Sequence, residues 1–324
     1  MNRSPLLTVS HFPFRRTYVT FSRVQYALIL MLLPAAMYGC SLYGLFAARI
    51  LAASVFFFML WDTVFETIAG KKHTLHDGSA ALAGLLFGML LLPETPWWII
   101  AVGSGAAQFL GKQLFGGAGG SPFNAVCIGW AVVTISWPAQ VDLTFGSVGF
   151  TLPFSSMFPL AELHRAGNEV LSKFPAAALF RGLQAGGIGS GAIFLLFIGG
   201  CIGMLLRIIP WRIPLSFFAG EAVAALLVKM TGVPFSGGPL FHILTGYSCI
   251  AAFFIATDLS SRPVSSRVML LYGTLIGILT VVFRVLGKFP EGLPFAILVV
   301  NIIIPLFDRG ASPAVADMPE VVRL

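Results

Sequence analysis

Charge is scarce in this sequence. Only 10% of its 324 residues are Asp, Glu, Lys or Arg, whereas a soluble domain carries about 25%. The balance is apolar, with 57% hydrophobic residues and a mean hydropathy of +0.90. A water-soluble fold of this length cannot hide so much apolar surface without exposing large patches, which excludes an ordinary soluble enzyme. The usual cofactor and hydrolase signatures are also missing. No GxGxxG, Walker A, GxSxG or HExxH run occurs, so nucleotide and soluble cofactor chemistry in this chain is unsupported. Cysteine is sparse, and Cys40, Cys127, Cys201 and Cys249 each stand alone inside an apolar run. Without CxxC or Cys/His spacing, no metal site is expected, and each cysteine reads as a small buried hydrophobe. The net charge of +7 does not indicate nucleic acid, because the basic residues are scattered through short loops rather than gathered in a stripe.

Long apolar runs are what the chain has in abundance. A bilayer crossing takes about 20 apolar residues, fewer where the segment is broken. Ten spans are expected, at residues 24–44, 46–69, 79–93, 96–112, 123–138, 188–207, 213–231, 239–258, 268–286 and 291–307. The fold class is therefore an all-α polytopic membrane protein. Residues 1–23 are polar and basic, and no small-residue cleavage site follows them, so the first helix is expected to stay as an anchor. Residues 139–187 form the longest stretch between spans. It opens β-like at Val141-Asp142-Leu143-Thr144-Phe145 and then becomes mixed and charged. A connection this long usually serves function or partner binding.

Lys and Arg set the orientation. With the N-terminus in the cytoplasm, thirteen of the 20 basic residues fall inside and seven outside. The positive-inside rule then places both termini in the cytoplasm and 139–187 outside, on the periplasmic or extracellular face.

A weak internal repeat is present. Gly111-Lys112-Gln113-Leu114-Phe115-Gly116-Gly117, running on to Pro122-Phe123, precedes the fifth span, and Leu286-Gly287-Lys288-Phe289-Pro290 precedes the tenth. His76-Asp77-Gly78-Ser79 opens the third span as Ser236-Gly237-Gly238-Pro239 opens the eighth. The unit is five spans. Five is odd, so the second copy enters the membrane inverted, an architecture that places a pathway near the midplane. The expected organisation is a cytoplasmic segment 1–23, membrane repeat 24–138, external segment 139–187, membrane repeat 188–309 and cytoplasmic tail 310–324.

Ionisable groups within spans are costly and mark candidate function. Glu221, in the middle of the seventh span, suits either an ion or proton relay or a neutral buried acid bonded to a neighbouring helix. Asp62 and Glu66 share one face of the second span at i,i+4, lining a vestibule or facing a partner subunit. The turns carrying Gly116 and Gly117, and Gly237 and Gly238, bring free backbone polar groups to membrane depth. Such backbone lines a cavity or packs on protein, with Asn124 and Ser121 placed to assist. His73, His76 and His242 have no metal-ligand spacing.

These turns also carry a family resemblance. Gly111-Lys112-Gln113-Leu114-Phe115-Gly116-Gly117 with Pro122-Phe123-Asn124, Trp211-Arg212-Ile213-Pro214-Leu215-Ser216-Phe217, and Ala252-Phe253-Phe254-Ile255-Ala256-Thr257-Asp258 resemble the D-type membrane subunit of Rnf complexes, of the RnfD/NqrB family. The likeness runs in order over roughly residues 70–309. The B-type subunit of the sodium-translocating NADH:quinone oxidoreductase is a more distant relative. The resemblance implies a ten-helix inverted-repeat subunit, assembled with other Rnf subunits, in a complex that couples ferredoxin/NAD electron transfer to sodium or proton translocation.

It also implies covalent FMN on a threonine within Ser-Gly-Ala-Thr-Pro-Leu. The matching residues here are Ser155-Ser156-Met157-Phe158-Pro159-Leu160, with Phe158 in the threonine's place. Phenylalanine has no hydroxyl, so covalent attachment is expected to be absent. A noncovalent flavin near Gly187 and Gly189 of the glycine-rich 186–191 run is the remaining flavin expectation, with Ser155 and Ser156 beside Phe158. The alternative to an Rnf subunit is a free-standing channel or transporter on the same scaffold, and a third reading is a structural anchor for partners.

Overall fold

The computed structural model describes residues 20–71, 74–117, 119–141, 158–233 and 236–308. In chain order the helices are α1 Phe21–Tyr43, α2 Leu45–Ile68, α3 Ser79–Leu90, α4 Trp97–Gly111, α5 Ala125–Ser136, α6 Pro138–Val141, α7 Pro159–Ala166, α8 Ala176–Phe180, α9 Ile193–Leu205, α10 Arg212–Met230, α11 Pro239–Ile243, α12 Ser248–Ile250, α13 Ser266–Leu286 and α14 Leu293–Asp308. Among the described residues there is no strand. The β-like opening at Asp142-Leu143-Thr144-Phe145 lies outside them, as do Ser155, Ser156, His73 and the tail 310–324; Val141 closes the short helix α6.

Four helices, α1, α2, α10 and α13, are long and apolar enough to cross a bilayer, and α3, α5, α9 and α14 are shorter apolar helices. The chain is a multi-pass membrane protein. Helical residues occupy all ten expected spans, but the eighth is not one helix. It is α11, then an irregular stretch 244–247 with Gly246 at φ 63°, then α12 running into a π-helical turn at Ala251–Ile255. The third is the short helix α3, of 12 residues.

Local chemistry sets several boundaries. Thr20 caps α1 by accepting from the Arg23 N–H at 3.4 Å, and Asn124 caps α5 by accepting from the Cys127 N–H at 3.2 Å. Each satisfies an otherwise orphaned first-turn donor. Small residues decide how closely helices approach. A Cβ built on Gly84 of α3 would lie 2.7 Å from the Val55 Cα of α2. A Cβ on Gly277 of α13 would fall on the Phe217 carbonyl oxygen of α10. In lipid no hydrophobic force draws helices together, so this backbone proximity supplies the dispersion energy that does. The main buried core runs through the molecule, from Leu32 and Phe58 to Phe217, Phe254, Tyr272 and Ile297. Phe56, Leu60, Leu205, Leu227, Met230 and Leu306 are exposed and suit a lipid-facing surface.

Candidate functional site

Glu221 is fully buried in α10 and is not isolated. Its Oε1 accepts from Arg284 Nη1 at 2.9 Å and from Ser248 Oγ at 2.8 Å. Arg284, on the last turn of α13, is 1% exposed and donates from Nη2 to Glu291 Oε1 at 3.0 Å. It also donates to the carbonyls of His242 and Thr245, at 2.8 and 3.2 Å. Glu291 Oε2 accepts from the Tyr247 N–H at 3.1 Å. The His164 ring Nε2 contacts the Arg284 carbonyl. The irregular 244–247 stretch explains part of this geometry, because its interrupted helix frees the carbonyls of His242 and Thr245 for Arg284. Glu221 Oε2, Arg284 Nε and His242 Nδ1 have no hydrogen-bond partner among the described residues.

A second buried cluster joins α2, α3 and α4. Asp62 is fully buried, and both its oxygens accept from Lys112 Nζ at 2.9 Å, while Gln113 Nε2 donates to Oδ1 at 3.1 Å. Lys112 Nζ reaches Ser79 Oγ at 3.2 Å. Glu66, one turn along, instead accepts from Thr74 through Oγ1 at 2.5 Å and N at 2.9 Å. Asp62 and Glu66 therefore share a face, as their spacing predicts, but serve different partners.

The two clusters match in kind. Each has a carboxylate on a long helix, a cation at the end of a later helix and a serine at the start of a short one. These are Asp62, Lys112 and Ser79 in one cluster, and Glu221, Arg284 and Ser248 in the other. Sequence reasoning missed Arg284, Glu291 and Lys112 as site residues because it counted the two cations as loop charges. The available signal was periodicity: Arg284 lies four, seven and eleven residues after Thr280, Gly277 and Gly273, on the small-residue face of α13.

The glycine turns separate. Gly117 lines a cavity of about 70 Å³ together with Ser79, Lys112, Ser121, Asn124 and Asp258. Two buried amide oxygens on its wall, Gln25 Oε1 and Gln108 Oε1, lack donors among the described residues. Gly116 is exposed, and its carbonyl accepts from Lys71 Nζ at 3.0 Å. Asn124 Nδ2 donates to the Ile255 carbonyl at 3.0 Å, tying α5 to the π-helical turn. Gly237 is elsewhere: its N–H donates to Asn168 Oδ1 at 3.0 Å, and a Cβ there would lie 2.8 Å from His242 Nε2. Gly238 has open space where a Cβ would stand.

With this geometry in place, relatives become informative. The sequence profile of the NQR2, RnfD, RnfE family matches residues 8–317. The chain belongs to this family. It is 30% identical over 315 residues, covering 95% of both chains, to the D-type subunit of a proton-translocating ferredoxin:NAD(+) oxidoreductase complex from Clostridium ljungdahlii. It is 33% identical over 319 residues, 98% of this chain and 97% of the relative, to the D-type subunit of a Na(+)-translocating ferredoxin:NAD(+) oxidoreductase complex from Acetobacterium woodii. The D-type subunit of an ion-translocating oxidoreductase complex from Yersinia enterocolitica is 35% identical over 273 residues, 74% of this chain and 78% of the relative.

NQR2/RnfD-type subunits are often associated with flavin. In this member the described residues at the motif position do not fit one. Phe158, at the start of α7, is 4% exposed, and its ring packs in an apolar cluster with Leu92, Ala161 and Ala185. Phe158 and Gly187, singled out separately in the sequence, do meet across one cavity with Ser190 and Tyr247, but its volume is about 10 Å³, the room of a single water. The Tyr247 hydroxyl occupies the space where a Gly187 Cβ would point, and Met89 faces Gly189, whose N–H donates to the Met89 carbonyl at 2.7 Å. The glycines of 186–191 thus let backbone pack on α3 and Tyr247.

Proposed function

We propose that this chain is the D-type membrane subunit of an Rnf electron transport complex, coupling electron transfer between ferredoxin and NAD to translocation of sodium or protons. Near full-length similarity to two subunits bearing those names supports the reading. The observation that carries the ion-translocating part is the pair of matched buried clusters.

The match supports two inverted five-span repeats, 24–138 and 188–309. Counting crossings from α1 puts Asp62–Lys112 toward the cytoplasmic end and Glu221–Arg284 toward the external one, with 139–187 outside and the segments 1–23 and 310–324 inside a bacterial or archaeal cytoplasmic membrane. The cavity beside Lys112, Gly117 and Asn124, largely apolar but carrying the Gln25 and Gln108 amide oxygens, then opens the inner half of an ion path. In the outer half, two carboxylates face one guanidinium, so one negative charge is in surplus when all are ionised. A proton or monovalent cation at Glu221 Oε2 relieves that surplus, which would otherwise be costly at membrane depth.

The test is Glu221→Gln in the complete complex reconstituted in liposomes. Ferredoxin-driven NAD reduction should continue while ion uptake falls by about tenfold or more, the loss expected when one charge-assisted contact to the ion is removed. Unchanged uptake rejects Glu221 as a path residue.

The chain is further proposed to carry no covalent FMN at Phe158, with electrons passing through other subunits. Denatured subunit run on a gel should show no flavin fluorescence at its 34.7 kDa mass; a fluorescent band refutes this. Phe158 also favours a second reading, a free-standing channel or transporter on the same scaffold. Co-purification decides, because a free-standing protein leaves the other Rnf subunits behind.

A further inference from the structure

A cleft unrelated to either ion cluster opens at the end of the bundle where α1 turns into α2. It lies between the first turns of α2 and α4 and the 93–96 turn, and its volume is about 540 Å³. One wall is apolar. Phe46, Ile50 and Ala53 fall on one face of α2, at spacings of four and three, and face Trp97 and Ile100 of α4. The polar residues of its lining are Arg49, on the same helix beside Ile50, and Glu94 and Thr95 of the 93–96 turn. Arg49 is exposed and has no ion-pair or hydrogen-bond partner among the described residues. Thr95 is the reverse: it is 6% exposed, yet its hydroxyl has no partner among the described residues. Its backbone is fixed, with the N–H donating to the Leu92 carbonyl at 3.1 Å between Pro93 and Pro96.

We propose that this cleft binds one zwitterionic phospholipid with an ammonium headgroup. The Arg49 guanidinium takes the phosphate diester, which it matches in charge and in fork geometry. The Thr95 hydroxyl donates to a second phosphate or ester oxygen, satisfying a buried group that is otherwise costly. The Glu94 carboxylate, which also serves a partner inside the protein, adds negative charge for the ammonium at the rim. An acyl chain descends the Phe46–Ile50–Ala53 face against Trp97 and Ile100. The depth agrees with this occupant. Trp97 and Trp98 are 65% and 38% exposed at this end, and Trp98 packs edge-on against Trp137 with centroids 5.1 Å apart. Exposed tryptophans of this kind concentrate at headgroup level. Trp97 is itself held by stacking on Phe57 at 6.5 Å, so the wall is formed before a ligand arrives.

The test takes the intact complex through nanodiscs of equal phosphatidylethanolamine and phosphatidylglycerol, then through mild detergent, and measures the lipid that stays bound. The wild type should retain phosphatidylethanolamine preferentially. Arg49→Gln should retain about tenfold less, the worth of one charge-assisted phosphate contact, and Thr95→Val an intermediate amount. Arg49 is exposed, so the Arg49→Gln chain should assemble normally and its lipid loss can be read directly. A photocrosslinking residue at position 97, Trp97→benzoylphenylalanine, should label lipid. Equal lipid on wild type and Arg49→Gln, equal retention of phosphatidylglycerol, or crosslinking of position 97 to another polypeptide instead of lipid would each overturn the proposal.

Discussion

Arg284→Gln is expected to destabilise the subunit by about 3–5 kcal/mol, the usual cost of removing one partner from a buried ion pair. The wild-type guanidinium bonds two carboxylates, Glu221 and Glu291, and two carbonyls, His242 and Thr245. Glutamine reaches at most part of this set and supplies no charge, so two carboxylates remain buried at membrane depth without a counter-ion. Arg284→Lys should fall between, because an ammonium keeps the charge but lacks the planar fork that spans both acids. The measurement is thermal unfolding of the purified complex, with protein yield as a second readout. A triple variant, Glu221→Gln with Arg284→Gln and Glu291→Gln, should recover much of the loss, since a buried ion cluster costs most when half of it is removed. Full stability in Arg284→Gln alone would show that the cluster does not hold α10 to α13.

Gly277→Val should act on the same contact from the other side. A Cβ at Gly277 falls on the Phe217 carbonyl oxygen and lies 2.6 Å from the Glu221 backbone nitrogen. Both are backbone atoms, so no rotamer change relieves the clash and the two helices must separate. Overpacking of this kind costs about 1–3 kcal/mol or more, and the separation also lengthens the 2.9 Å Glu221–Arg284 contact. Gly277→Val and Arg284→Gln should therefore combine to less than the sum of their separate effects. Gly238→Ala is the control. Its Cβ meets nothing within 4 Å, and the change should stay within about 0.5 kcal/mol. If Gly238→Ala and Gly277→Val unfold alike, close helix approach is not what Gly277 provides.

Much of the fold was legible because hydropathy reports directly on the solvent a segment meets. The positions of α1, α2, α10 and α13 follow from apolar length alone. The break in the eighth span was not legible: residues 240–255 read as one apolar run apart from His242, Thr245, Gly246 and Ser248, and the partner that takes the carbonyls freed there, Arg284, lies about forty residues on in sequence. Glu221 stood out because a lone carboxylate in an apolar helix is conspicuous. Its partner did not, since 63 residues separate them in sequence and an arginine near a span end resembles a loop cation. Lys112 was overlooked as a site residue for the same reason, although it is only 8% exposed. Glycine content showed where backbone comes close but not to what, which is why Gly117 borders a cavity while Gly237 is fastened to Asn168.

Similarity does not choose the ion. Relatives named for protons and for sodium are 30% and 33% identical to this chain. Among the described residues there is no group of three or more His, Cys, Asp or Glu side chains able to hold a metal ion. On the proposed reading, the groups left to meet an ion in the inner half of the path are uncharged oxygens such as Gln25 Oε1 and Gln108 Oε1, whose side-chain identities carry little signature.

The packing of Phe158 makes the position difficult to convert to threonine. Exchanging it for threonine would restore a hydroxyl at the motif position but would withdraw a ring from Leu92, Ala161 and Ala185. Deletions of that size in a packed interior cost about 3–5 kcal/mol. The neighbouring space would still hold a single water rather than a ring system. On the proposal that no covalent flavin is held here, a hydroxyl alone would not install one: this pocket would have to be reshaped first, and the position behaves as a ratchet.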